Sequence, residues 1–196
     1  MNAILLIIFP FIWLVILLTI YALFREKQKN INVKLLVLYV LFMGMLGPVG
    51  EVFVGTLYNL AFGQPLWQYK VLPTHHAYTS LYAPVIWGVS GAYLYYIHEH
   101  IRLFKQKSKW LQATIRMFET IFFEATLNVS FWILTGSLIF YYLPADLWHV
   151  TSIQTLPFYF ILSLIVMKSM KRLRKDPVYY SALFGLLTLV VVYLAN

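Results

Sequence analysis

The sequence predicts an all-α membrane protein: a six-helix transmembrane bundle with two parallel-repeat hairpins and both termini outside. Two observations carry that expectation. Of the 196 residues, 61% are hydrophobic and only 11% charged, a composition no soluble fold of this size could bury but one that lipid solvates directly. Fourteen of the fifteen Lys and Arg residues also fall into three clusters separated by pairs of apolar stretches. These are Arg25, Lys27, Lys29 and Lys34; Arg102, Lys105, Lys107, Lys109 and Arg116; and Lys168, Lys171, Arg172, Arg174 and Lys175, with Lys70 alone elsewhere. Anionic lipid and the insertion machinery hold positive loops in the cytoplasm, so all three clusters are expected inside.

Helices are expected at about 3–24, 35–62, 80–98, 113–143, 153–170 and 178–195, within one integral membrane domain spanning 1–196. Each is long enough, at about 1.5 Å per residue, to cross a hydrocarbon core of about 30 Å. The first lacks a basic start, stays apolar and stops against Arg25-Glu26-Lys27, which reads as a retained helix and not a signal peptide. The second exceeds the minimum length and has a kink site at Gly47-Pro48. Between the third and fourth, Arg102, Lys105 and Lys109 alternate with Leu103, Phe104, Trp110 and Leu111, as in a short helix lying in the headgroup layer. The fourth is again overlong. The last, rich in Leu and Val, reads as a lipid-facing support.

An internal repeat is expected over 44–98 and 117–170. Glu51 is followed by Leu66-Trp67-Gln68-Tyr69, Thr79-Ser80 and Pro84, while Glu124 is followed by Leu147-Trp148-His149, Thr151-Ser152 and Pro157. The order matches, although Trp67 and Trp148 stand at different distances from their glutamates. Spans two and four both run outward, so the hairpins would be parallel repeats about an axis along the membrane normal.

The candidate ligand-binding residues are Glu51, Glu124, Asn128, Trp67, Tyr69, His75, His76, Trp148 and His149; no catalytic residue is assigned. A carboxylate near the bilayer centre costs about 2.5–3.5 kcal/mol on insertion scales, so Glu51 and Glu124 should face the bundle interior. There they would serve either as helix glue or in handling a substrate, ion or proton. Glu119, close to Arg116, can reach the inner interface. Thr120, Glu124, Asn128 and Thr135 form a polar stripe at helical spacing, which lines a cavity or a helix seam. In span two, Gly44, Gly47, Gly50 and Gly55 permit close helix approach or leave room for a ligand. Measured from the expected span centres, Glu51 lies outward and Glu124 inward, so a carboxylate pair is not expected and Glu51 facing Asn128 is easier to build. The outer loop 63–80 carries Trp67, Tyr69, Tyr78, His75 and His76, and a cap of His75, His76, Trp148 and His149 over the cavity is expected.

Several chemistries are excluded. The chain has no Cys, no Gly-x-Ser-x-Gly and no phosphate-binding Gly-x-x-x-x-Gly-Lys-Ser/Thr, which removes thiol chemistry, that serine nucleophile and ATP hydrolysis. The net charge of +8 sits at membrane edges, and no nucleic-acid module is present. The five His residues divide between the two sides without a zinc spacing, so neither metal nor cofactor is expected.

Gly50-Glu51-Val-Phe-Val-Gly, Leu66-Trp67-Gln-Tyr69, the run from Thr79-Ser80 through Pro84 to Trp87-Gly88, and Phe-Phe-Glu124 with Leu147-Trp148 resemble the bacterial ABC-transporter type IV (CmpB) family and the related transmembrane protein 229 family. The likeness covers about residues 44–170, with His-Val after Trp148 where that family often has Asp-Tyr. It implies a multipass fold with embedded glutamates in a bacterial cytoplasmic membrane, and no settled activity. A fainter likeness is to the small membrane carotenoid cyclases, whose Glu-Glu pair this chain lacks. The expected function is a polar intramembrane pocket that binds or translocates a lipid or amphipathic small molecule, or a membrane subunit docked to a protein partner. The alternative is a lipid-modifying enzyme using an embedded Glu as general acid or base.

Overall fold

Three of the helices start where a side chain satisfies the free backbone N–H groups at their ends. The computed structural model describes residues 3–24, 30–100 and 107–194 and contains six helices among them. They are α1 (Ala3–Phe24), α2 (Val33–Phe62), α3 (Ala83–His100), α4 (Lys109–Thr135), α5 (Leu156–Leu173) and α6 (Pro177–Thr188), the last continuing as a π-helical turn over Leu189–Leu194. Asn32, Ser108 and Asp176 cap α2, α4 and α6 by accepting hydrogen bonds from Leu35, Leu111 and Tyr179 N–H groups. Gly63 and Gly136 close α2 and α4 in the left-handed conformation, at φ 70° and 74°. The stretches with Val33–Phe62, Lys109–Thr135 and Ile153–Leu173 are long and apolar enough to cross a membrane.

Gly136 corrects the expected fourth span. The helix stops at Thr135 and does not run to 143, because a left-handed residue cannot continue a right-handed helix. The chain beyond it turns back as a short strand, β4 (Phe140–Tyr142). After α2, three more short strands form: β1 (Trp67–Tyr69), β2 (Pro73–Thr74) and β3 (Thr79–Ser80). β1 pairs antiparallel with β4, with Trp67 opposite Tyr142 and Tyr69 opposite Phe140, and β2 pairs with β3. Lys70, the cation outside the three clusters, sits 5.6 Å from the Tyr141 ring centre.

Other expectations also change. Lys109, Trp110 and Leu111 form the first turn of α4 and not an in-plane helix. Residues 101–106, with Arg102 and Lys105, lie outside the described residues, as do Arg25, Lys27 and Lys29. Arg116 is not a loop cation: it stands two turns inside α4 and is 2% exposed, next to Glu119, whose carboxylate accepts a hydrogen bond from Tyr93. The last helix keeps Leu186, Leu189 and Val190 exposed, as a lipid-facing support would, but it also packs on α2, and the Val191 carbonyl accepts a hydrogen bond from His75 Nε2 at 3.0 Å.

The glycines of α2 divide by role. A Cβ at Gly47 would fall 2.1 Å from the Trp87 ring and one at Gly44 3.0 Å from the Pro84 carbonyl, so these two let α3 lie directly against α2. Gly55 makes the same close approach to Tyr78. Gly50 has nothing within 4 Å and opens onto empty space. One apolar cluster (Leu38, Tyr39, Phe42, Met43, Tyr95, Val166, Met170, Phe184) ties α2, α3, α5 and α6 together. A second gathers Phe9 and Trp13 of α1 with Phe131 of α4 and the aromatic residues of β1 and β4.

Candidate functional site

The two embedded glutamates are held by nearly identical constellations. Tyr69 donates its hydroxyl proton to Glu51 Oε1 at 2.5 Å, Trp87 Nε1 donates to the same oxygen at 2.8 Å, and Thr79 donates to Oε2 at 2.6 Å. Tyr142 donates to Glu124 Oε1 at 2.5 Å and Thr151 to Oε2 at 2.7 Å, with Tyr159 as the third hydrogen-bond partner. Each tyrosine lies 18 residues after its glutamate. Each carboxylate therefore meets a Tyr from a strand, a Thr further along the same connection and an aromatic side chain from the next helix.

The surrounding backbone follows the same pattern. Tyr69 N–H donates to the Ala77 carbonyl at 2.8 Å and Tyr142 N–H to the His149 carbonyl at 3.0 Å. Both carbonyls belong to tight turns, His75–Tyr78 and Leu147–Val150, closed by hydrogen bonds of 3.1 Å. The central residues, His76 and Ala77 in one and Trp148 and His149 in the other, all have positive φ, the signature of a type I′ turn. Ser80 and Ser152 accept from the Tyr82 and Gln154 N–H groups after each turn. Across the β1–β4 pair, the rings of Trp67 and Tyr142 lie 5.9 Å apart and those of Tyr69 and Phe140 5.5 Å apart.

Trp148 is therefore not the counterpart of Trp67. Phe140 stands two residues before Tyr142 as Trp67 stands two before Tyr69, whereas Trp148, like His76, sits at a turn tip, where it is 85% exposed.

Glu51 and Glu124 line one cavity of about 430 Å³ between α2 and α5. Its floor is Trp67, Tyr69, Trp87, Phe140, Tyr142 and Tyr159 together with the two carboxylates. Phe53 and Leu57 of α2 and Ile161 and Ile165 of α5 line it too and are themselves surface-exposed, Phe53 at 62% and Ile161 at 54%, which marks the mouth as lateral and apolar. The expected separation of the two glutamates is thus corrected. With α4 ending at Thr135, Glu51 and Glu124 each stand eleven residues before the last residue of their helices, about 16 Å along the axis.

The other candidate residues do different work. Asn128 does not face Glu51; fully buried, it donates to the Phe140 carbonyl at 2.7 Å and the Val150 carbonyl at 3.1 Å and accepts from Ile139 N–H at 2.9 Å. It locks β4 in place. No cap over the cavity forms from His75, His76, Trp148 and His149, none of which lines it. His75 reaches α6, and His149 stacks on Tyr141 at 4.3 Å and binds the Tyr142 carbonyl through Nδ1 at 2.6 Å. The expected polar stripe also splits: Thr120 borders two small voids on the far side of the carboxylates, while Thr135 bonds the Phe131 carbonyl and the Ser137 backbone at the helix end. Trp87, Tyr142 and Tyr159 are not among the expected candidates, and Tyr142, unlike the other two, lies in a strand where a helix is expected. The signal for it was the shared Glu-to-Tyr interval.

Among the described residues, no group of three or more His, Cys, Asp and Glu side chains converges. Comparison with known proteins finds no matching family model, no similar curated protein and no similar solved structure.

Proposed function

We propose that this chain is a six-span membrane module that binds a lipid or other amphipathic molecule in the cleft between α2 and α5. The observation that carries this proposal is a cavity with an apolar, surface-exposed mouth and two hydrogen-bonded carboxylates at its floor. Pockets of about 300–1,000 Å³ with apolar walls and a few convergent polar groups are the usual form of a small-molecule site. Acyl chains touching Phe53 and Ile161 can enter sideways without crossing a polar surface.

Two parallel repeats form part of the same proposal. Equal intervals from each Glu to its capping Gly and its Tyr, matching turns, and the reciprocal β1–β4 pair support them. The basic residues Lys34, Lys107, Lys109 and Lys171 stand near the helix ends away from the strands, which supports an inside-facing basic end and outer termini. The likeness to the CmpB and transmembrane protein 229 families is proposed on the same residues.

Lipid mass spectrometry on the protein purified in mild detergent tests the pocket. A Cβ at Gly50 meets nothing within 4 Å and Gly50 lines the cavity, so the side chain of Gly50→Leu enters ligand space and the folded variant should retain roughly tenfold less amphiphile than the wild type. Equal retention, or none by the wild type, would overturn the proposal. A lipid-modifying enzyme keeps one supporting observation, two carboxyl groups within one apolar enclosure, but among the described residues no His lines the cavity to assist them.

A further inference from the structure

The floor of the cavity is chemically one-sided. Among the described residues, its lining includes two carboxylates and no Lys, Arg or His. The groups that hold the carboxylates, from Tyr69, Thr79, Trp87, Tyr142, Thr151 and Tyr159, are all neutral, and the Trp87 indole N–H can only donate. Neutral donors stabilise a carboxylate without cancelling its charge, and two like charges sharing an enclosure repel. Arg116, two turns earlier on α4, is matched by Glu119 on the next turn and borders a separate small void, so it does not supply the missing charge. The aromatic rings of Trp67, Trp87 and Tyr159 also line this cavity. Ring faces attract a cation, and indole does so most strongly.

We propose that the ligand of this cavity carries a cationic head, an amine or quaternary ammonium, on a long apolar chain. The inference rests on the amphiphile pocket proposed above and adds the chemistry of its head group. The head group sits between Glu51 and Glu124 against the indole and phenol rings, and the chain leaves between Phe53 and Ile161 into the bilayer. An anionic head, such as a phosphate, would be placed against two carboxyl groups with no cation among the described lining residues to receive it. An alcohol fits the space but leaves the carboxylates uncompensated.

A competition in lipid nanodiscs of neutral phosphatidylcholine tests this on the whole protein. Hexadecyltrimethylammonium, hexadecanol and hexadecyl phosphate are offered at equal amounts, and the retained probe is read by native mass spectrometry. The wild type should retain the ammonium over the alcohol by about tenfold or more, with the phosphate last. The Glu51→Gln/Glu124→Gln variant should lose that preference while still retaining the alcohol. Equal retention of ammonium and alcohol, or a preference for phosphate, overturns the head-group inference and leaves the pocket standing. If the wild type retains no probe, the pocket itself fails and the inference with it. The wild-type competition decides the matter even where the double variant does not fold, and Trp87→Phe, which keeps both charges, should only reduce the preference.

Discussion

At the scale of single residues, the site depends on hydrogen bonds that converge from three different elements on each carboxylate. Removing the donor of Tyr69 or Tyr142 leaves a buried oxygen with one partner fewer. Tyr69→Phe and Tyr142→Phe should each cost about 1–2 kcal/mol, read as lowered thermal unfolding temperatures in detergent, and the two losses should be similar because the geometries match. A clear difference between them would count against equivalent halves. Gly47→Ala should be worse tolerated than Gly50→Ala, since only the first drives a methyl group into Trp87 and pulls its indole away from Glu51. Comparative unfolding of the two variants checks this, with an expected gap of about 1–3 kcal/mol.

At the scale of elements, the unusual feature is a pair of non-helical segments folded back into a helical bundle. Buried backbone amides need partners, and irregular chain enclosed by helices must find them in other strands or in side chains. Here β1 and β4 supply partners to each other, and Asn128 supplies three more bonds to the second segment. Asn128→Ala would leave two carbonyls and an N–H unsatisfied, at about 3 kcal/mol or more. Hydrogen exchange should show the Ile139 amide losing protection in that variant while the amides of α2 keep theirs; unchanged exchange at Ile139 would show that β4 needs no such anchor.

These elements also show what the sequence could and could not disclose. The helices of 33–62 and 153–173 were legible because apolar length has few other uses, and the embedded glutamates were legible because charge at that depth demands a reason. The short strands were not. Phe140-Tyr141-Tyr142 is as apolar as the helix before it, so hydropathy alone carries span four through Gly136. Only the left-handed glycine, placed twelve residues after each glutamate at Gly63 and Gly136, signals the stop. The tryptophans misled for a different reason: Trp148 sits exposed at a turn tip, while Trp67 sits buried in a strand opposite Tyr142, so like residues at these two positions do not have like surroundings.

At the scale of the whole molecule, folding in lipid cannot rely on hiding apolar surface, because acyl chains solvate Leu as well as a protein core does. Close glycine contacts between α2 and α3, the strand pair and the carboxylate networks therefore supply much of the specificity. They hold the helices while leaving α2 and α5 apart over the cavity they both line. The most direct test of the central claim is a high-resolution map of the wild-type protein in a lipid nanodisc. Elongated density should run from between Phe53 and Ile161 to a head group beside Glu51 and Glu124. A cleft closed by direct contact of α2 with α5, or glutamates turned toward acyl chains or bulk water, would contradict it.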